Sequence, residues 1–226
     1  MTACSTIAFP LRKPPKHPSD MLEMFISAFI TFFVVIDPPG CAPIYASLTS
    51  GAVPAQRRSM AIRAIVISLF ILLVFAMFGE KLLAALGISL DAFRVAGGIM
   101  LFLIALEMVF EKRQTRREDR AEKIMETPEV EDVSVFPMAL PMIAGPGSIA
   151  TVMLLMARSN GIEETAIVLG AMAAVLLLTL LSLLAAGPLM RVLGAKIEAV
   201  ITRLLGVLLA ALATQFVVDG LKASFS

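Results

Sequence analysis

Ile36-Asp37-Pro38-Pro39-Gly40 lies in an apolar run with no other charged residue between Glu23 and Arg57. Proline lacks an N–H and glycine keeps its backbone freedom, so this stretch predicts a helix that unwinds in mid-course. Ala144-Gly145-Pro146-Gly147-Ser148 repeats the theme in the second half of the chain. In a bilayer, backbone freed by such breaks is tolerated only where it is buried in protein or lines a polar cavity. Paired breaks in corresponding halves point to a transporter's binding site.

The composition around these breaks sets the class. The 226 residues are 58% hydrophobic and 16% charged, against roughly half apolar and a quarter charged in soluble domains. The apolar residues come in long blocks, which predicts a multi-pass membrane protein embedded in a lipid bilayer. A net charge of +1, with basic residues in the short connections, gives no case for nucleic acid. Cys4 lies in a polar tail and Cys41 beside the first break, settings too different to predict a disulfide.

Six apolar segments follow one another. Residues 1–20 form a polar, proline-rich tail holding the only histidine, His17, which reads as disordered or as lying upstream of a translation start at Met21 or Met24. The first span is expected from about Leu22 to Leu48, the second around the charge-free Ala64–Gly79, and the third over Asp91–Phe110. A charged loop, 111–132, separates the halves. The fourth span is expected over Val133–Ala157 and the fifth over Thr165–Met190. A turn at Arg191, Gly194 and Lys196 then leads to the sixth, Ala199–Val218. By helical rise, Asp37 lies ~20 Å and Gly145 ~18 Å into a hydrocarbon slab ~30 Å thick.

The halves, 21–110 and 133–226, can be laid on each other. Pro39-Gly40 falls on Pro146-Gly147, Leu86-Gly87 on Leu193-Gly194, and Asp91-Ala92 on Glu198-Ala199 at one constant offset; after a two-residue slip, Arg94 falls on Arg203 and Gly97 on Gly206. A three-span unit is odd, so its second copy enters the membrane inverted. The expected fold class is therefore an all-α membrane protein of two inverted three-helix repeats, with helices 1 and 4 broken at mid-membrane. Arg57, Arg58, Lys112, Arg113, Arg116, Arg117, Arg120, Lys123, Arg191 and Lys196 fall in the odd-numbered connections. The positive-inside rule then puts loop 111–132 in the cytoplasm and both termini outside.

Asp37 is the only acidic side chain expected at mid-membrane depth, where a carboxylate is costly unless it meets a cavity or donors. Two compatible roles are open to it. It could cap a half-helix beginning at Pro38, or it could hold a coupling proton, Na⁺ or a substrate ammonium. Gly145, Pro146, Gly147 and Ser148 would either present backbone N–H groups to an anion at the start of a second half-helix or form a kink with close helix packing. A carboxylate and an N–H cluster together suit a small zwitterion. Gln215, with Thr214, is placed to line a cavity or to bond a neighbouring helix. Arg94 and Arg203 read as snorkelling side chains. Gly97-Gly98, Gly170 with Ala174, and Gly206 with Ala210 read as packing seams, and the fourteen Met residues as filler. There is no phosphate loop, no His-Glu-x-x-His, no Gly-x-Ser-x-Gly and no second deep carboxylate, so an enzyme or a nucleotide-driven pump is not expected. No cofactor is called for.

Asp37-Pro38-Pro39-Gly40-Cys41-Ala42-Pro43-Ile44, Phe93-Arg94-Val95-Ala96-Gly97-Gly98-Ile99, Pro141-Met142-Ile143-Ala144-Gly145-Pro146-Gly147 and Arg203-Leu204-Leu205-Gly206, with Gln215 and Asp219-Gly220, resemble the MarC family of bacterial inner-membrane proteins. The resemblance covers about Leu22 to Leu221. It implies six membrane helices and, as in some members, transport of a small neutral amino acid such as glycine or alanine. It implies further that Asp37, Pro38, Pro39, Gly40, Gly145, Pro146 and Gly147 form the broken-helix site. The chain departs from the family pattern at Cys41, where relatives carry asparagine, so a side-chain amide is missing here. The expectation is a secondary transporter working by alternating access. The alternative is a non-transporting assembly protein acting through loop 111–132. The sequence admits a homo-oligomer.

Overall fold

The computed structural model describes residues 18–110 and 132–225, and their regular structure is helical throughout. In chain order the elements are α1 (Pro18–Ile36), α2 (Pro38–Leu48), α3 (Pro54–Ala85), α4 (Leu90–Val109), the π-helical α5 (Ser134–Ile143), α6 (Pro146–Ala157), α7 (Ile162–Leu184) and α8 (Ala186–Ser224). Proline is the first residue of α1, α2, α3 and α6. Pro38, Pro54 and Pro146 occupy first-turn positions and Pro188 lies near the start of α8, where a helix has no partner for an N–H anyway. Ser89 caps α4 by accepting the Ala92 N–H at 3.2 Å.

Among the described residues, five segments are long and apolar enough to cross a membrane: Ser19–Leu48, Pro54–Ala85, Leu90–Val109, Ile162–Leu184 and Val200–Ser224. The pair α5–α6, bent by 53°, is a sixth if taken as one span. Their outer faces are apolar, as lipid requires: Phe70 and Met77 on α3, Leu103 on α4 and Leu204 on α8 are all more than half exposed.

Three expectations are corrected. The turn before the last span is at Ala185, and α8 runs on through Gly194 and Lys196, because a glycine inside a helix costs only about 1 kcal/mol while Gly187-Pro188 suits a helix start. Helix α1 begins at Pro18, so the last residues assigned to the tail are helical. Gly170 faces open space rather than a neighbouring helix, so no seam forms there. Cys4, His17 and loop 111–131 lie outside the described residues.

Two apolar clusters hold the bundle. The larger gathers Phe32, Ile36, Tyr45, Leu72, Met138, Ile143, Val168 and Met172 where α1, α2, α3, α5 and α7 meet. The smaller gathers Val34, Val35, Leu101, Ala105, Leu154, Leu209, Ala213 and Phe216 between α1, α4, α6 and α8. Most of the described methionines within these helices thus serve as core. Helices α4 and α8 run antiparallel in close contact. A Cβ on Gly98 would lie 2.9 Å from the Ala213 carbonyl oxygen, one on Gly206 would lie 2.9 Å from Met108 Cβ, and one on Gly220 would lie 2.9 Å from the Asp91 carbonyl oxygen. Gly98→Leu should therefore destabilise the chain by about 1–3 kcal/mol, while Gly170→Leu should be near neutral. Thermal unfolding in detergent compares them, and equal midpoints would remove the seam.

Candidate functional site

The first break is a single residue. Asp37 has φ 59° and ψ 65°, the left-handed conformation, which aspartate tolerates better than most side chains. Its N–H still bonds the Phe33 carbonyl at 2.9 Å and its C=O accepts from the Cys41 N–H at 3.1 Å, so α1 ends and α2 begins on the same residue. Pro38 and Pro39 have no N–H to satisfy, and the Gly40 N–H donates to the Asp37 carboxylate at 3.2 Å. Gly40 is required here. A Cβ on it would overlap the Asp37 carboxylate. Asp37 is fully buried, so the capping role expected of it is realised inside the protein.

The second break is wider. Phe136 and Leu140 are extended, each before a cis proline, Pro137 and Pro141. Ala144 and Gly145 link α5 to α6 with a 53° bend. The Ile149 N–H bonds the Gly145 carbonyl at 3.0 Å and Pro146 has no N–H, so Gly147 and Ser148 supply the first-turn donors of α6. No side chain caps that helix. Ser148 does something else: its hydroxyl donates to the Ile143 carbonyl at 2.7 Å.

Cys41 makes the corresponding contact in the first half, its Sγ lying 3.5 Å from the Ile36 carbonyl oxygen. Cys41 and Ser148, like Ile36 and Ile143, are related by the same offset that lays Pro39-Gly40 on Pro146-Gly147. In each half, a small polar side chain in the first turn of the second helix closes the break by binding the last carbonyl of the first. At the first break the Gly40 N–H, which would bind the Ile36 carbonyl in a continuous helix, is turned to the Asp37 carboxylate instead. Ser148→Ala should cost about 1–2 kcal/mol by stranding a buried acceptor, and Cys41→Ala should cost less because a thiol is a weak donor. Unfolding midpoints in detergent decide it; equal losses would remove the hydrogen-bond account.

The two breaks are neighbours. A Cβ on Gly147 would lie 2.7 Å from Ile104 Cδ1 and 3.3 Å from Cγ1 of Val35, two residues before Asp37. The structure thus packs Gly147, in the second break, beside the last turn of α1, just before the first break. One turn after Gly147 on the same side of α6, Thr151 is fully buried and its hydroxyl has no partner among the described residues. In the sequence it is one polar residue in the uncharged run Val133–Ala157, and nothing local marks it. Gln215 is not brought in: it is exposed on α8 and its amide donates to Asp219 at 2.7 Å. Thr214 bonds the Ala210 carbonyl of its own helix. Glu107 is half-buried and Arg203 exposed.

The charges near the helix ends form pairs. Arg94 pairs with Asp91 at 2.8 Å rather than snorkelling alone. Arg158 pairs with Asp219 at 2.7 Å and lies 4.8 Å over the Phe216 ring. Burial pushes the Arg158 guanidinium below its usual value and nearby Arg94 adds to this, while Asp219 acts against it. At another position, Arg63 meets Asp132 at 2.5 Å. Burial acts to raise the Asp132 carboxyl, but hydrogen bonds from Ser134 and the Arg63 charge hold it below the usual carboxylate range. No group of histidine, cysteine, aspartate and glutamate suited to a metal ion occurs among the described residues.

The fold defines an all-helical, multi-pass membrane protein. The chain belongs to the MarC family: the profile described as MarC family integral membrane protein matches residues 22–225. It is similar to the UPF0056 membrane protein YvbG of Bacillus subtilis, 38% identical over 205 residues that cover 91% of this chain and 97% of the relative. It is also similar to a UPF0056 membrane protein of Methanocaldococcus jannaschii, 36% identical over 203 residues that cover 90% and 98%. Another relative, from Buchnera aphidicola, is 32% identical over 204 residues that cover 90% and 99%. No solved structure is a significant match.

Proposed function

We propose that the chain is a secondary transporter of a small neutral amino acid, glycine- or alanine-like, or of a similar small polar solute. The observation that supports this reading is the packing of Gly147 beside Val35, two residues before Asp37. A buried carboxylate at Asp37 lies on one side. The uncapped first turn of α6, at Gly147 and Ser148, lies beside Val35. An ammonium would face Asp37 and a carboxylate the α6 N–H groups, whose helix dipole favours an anion; the Thr151 hydroxyl is available nearby. Gln215 plays no direct part in this arrangement.

Alternating access follows from an inverted repeat, and the packing supports one. Exchanging α1–α2 with α5–α6, α3 with α7, and α4 with α8 leaves the main contacts paired: α3 packs on α5 as α7 packs on α1, α2 packs on α7 as α6 packs on α3, and α2 packs on α8 as α6 packs on α4. The paired clasps at Cys41 and Ser148 obey the same exchange. Two rocking halves about a fixed site are the usual consequence of such symmetry. A proton or Na⁺ gradient bearing on Asp37 is the energy source in this reading. The chain sits in the inner membrane of a bacterium, with loop 111–132 cytoplasmic and both termini outside.

Purified protein in proteoliposomes, given labelled glycine or alanine and an imposed pH or Na⁺ gradient, should accumulate label above protein-free vesicles. If folded protein takes up no small polar solute under any gradient, the transport reading is wrong.

A further inference from the structure

A cavity lies away from the breaks, at the end of the bundle where α2 stops and α3 starts. It measures about 470 Å³ and is lined by Tyr45, Ala46, Thr49, Pro54, Arg57 and Arg58 on one side, and by Leu183 to Pro188 on the other. Among the described residues, two cations and no carboxylate line it. Its hydroxyls are already engaged: Tyr45 donates to the Arg57 carbonyl, and Thr49 donates to the Tyr45 carbonyl at 2.7 Å. The guanidiniums are therefore the groups it offers to a ligand.

Arg57 is held in place. Its Nε donates to the Ala52 carbonyl at 3.0 Å and its Nη2 to the Ser50 carbonyl at 2.7 Å, which leaves Nη1 as a positioned donor. Arg58 is exposed beside it. The cavity also lies where three apolar spans end or begin, at Leu48, Pro54 and Leu184. That is the depth of the lipid headgroups. Beside the arginines the wall is aliphatic, with Leu183 buried and Leu184 44% exposed. A phosphate bound by arginine and a glycerol or acyl segment on leucine would fill such a wall, whereas a free phosphate would use only the arginines.

We infer that this cavity binds the phosphate of an anionic phospholipid headgroup, with Arg57 and Arg58 holding the phosphate and Leu183 and Leu184 the adjoining hydrocarbon. The site does not depend on what the chain transports. Basic pockets between membrane helices are a known solution for anionic headgroups, and the cavity is large enough for a headgroup but small for a whole lipid.

The test uses delipidated full-length chain in a neutral detergent. Phosphatidylglycerol, phosphatidylcholine and inorganic phosphate are titrated separately while the unfolding midpoint is followed. Phosphatidylglycerol should raise the midpoint saturably, phosphatidylcholine should not, and inorganic phosphate should have no effect at matched concentration. Arg58→Gln, a surface change that leaves the Arg57 clamp intact, should weaken the phosphatidylglycerol response about fivefold, the effect of one basic residue at an anionic surface. Ala46→Phe, which fills the cavity from α2, should remove the response. Equal responses to both lipids, an unchanged response in Arg58→Gln, or a full response to inorganic phosphate alone would each overturn the assignment.

Discussion

Asp37→Asn should leave the chain folded and reduce gradient-driven uptake at least tenfold. Asparagine tolerates the left-handed backbone that Asp37 occupies, and its side-chain oxygen can still accept the Gly40 N–H that the carboxylate accepts now. The cap and the start of α2 should therefore survive. What is lost is the charge, and a hydrogen bond to a charged group is worth about 1.5–3 kcal/mol, which corresponds to roughly tenfold or more in binding. Asp37→Ala should differ. It removes the cap, at about 0.5–2 kcal/mol, and adds about 1–2 kcal/mol for a left-handed residue without a local hydrogen bond, so stability should fall together with uptake. The two variants are compared by uptake into proteoliposomes and by unfolding midpoint in detergent. Full uptake by Asp37→Asn would leave Asp37 as a cap alone and remove it from solute binding and coupling.

Gly145→Ala should destabilise the chain by about 3 kcal/mol or more, the upper end of the usual cost of overpacking. The reason is local. A Cβ at Gly145 would overlap the carbonyl oxygen of Pro141, and that atom belongs to main chain fixed between the extended residue Leu140 and the bend into α6. A side chain can swing aside; this carbonyl moves only if the whole α5–α6 connection moves. Gly147→Ala is milder, since the nearest atom is the end of the Ile104 side chain at 2.7 Å, which a rotamer change can relieve. Gly147→Leu exceeds that slack. It would press against Val35 and Leu101 as well, and should reduce uptake by moving the α6 N-terminus away from Asp37. Gly51→Ala, with nothing near its Cβ, is the control. Unfolding midpoints should rank Gly145→Ala well below Gly147→Ala, with Gly51→Ala close to the parent. The same midpoint for Gly145→Ala and Gly51→Ala would show that the second break is not the rigid, crowded bend described above.

Most of the helices could be read along the chain because each depends on a local property. Apolar blocks of sufficient length, interrupted by charged turns, give the spans, and Pro-Gly steps give their starts. The turn at Ala185 escaped because Arg191, Gly194 and Lys196 make a more conspicuous polar signal than Gly187-Pro188 does. A helix tolerates those residues, a glycine in its interior costing only about 1 kcal/mol, so local polarity alone misplaces the turn. Gln215 was drawn toward the site by its depth in an apolar run, yet depth along a helix does not say which face a side chain takes. The α4–α8 register turns it outward to Asp219.

The sequence by itself determined that this is a multi-pass helical membrane protein, where its helices stop at Asp37 and Gly145, and that proline and glycine are the cause, since these follow from backbone chemistry within a few residues. Only the tertiary structure decided that Gly147 packs beside Val35, that Cys41 and Ser148 close their breaks alike, and that Thr151 is buried without a partner among the described residues. Those facts depend on which helix faces which, and that is settled by close packing across residues far apart in the chain.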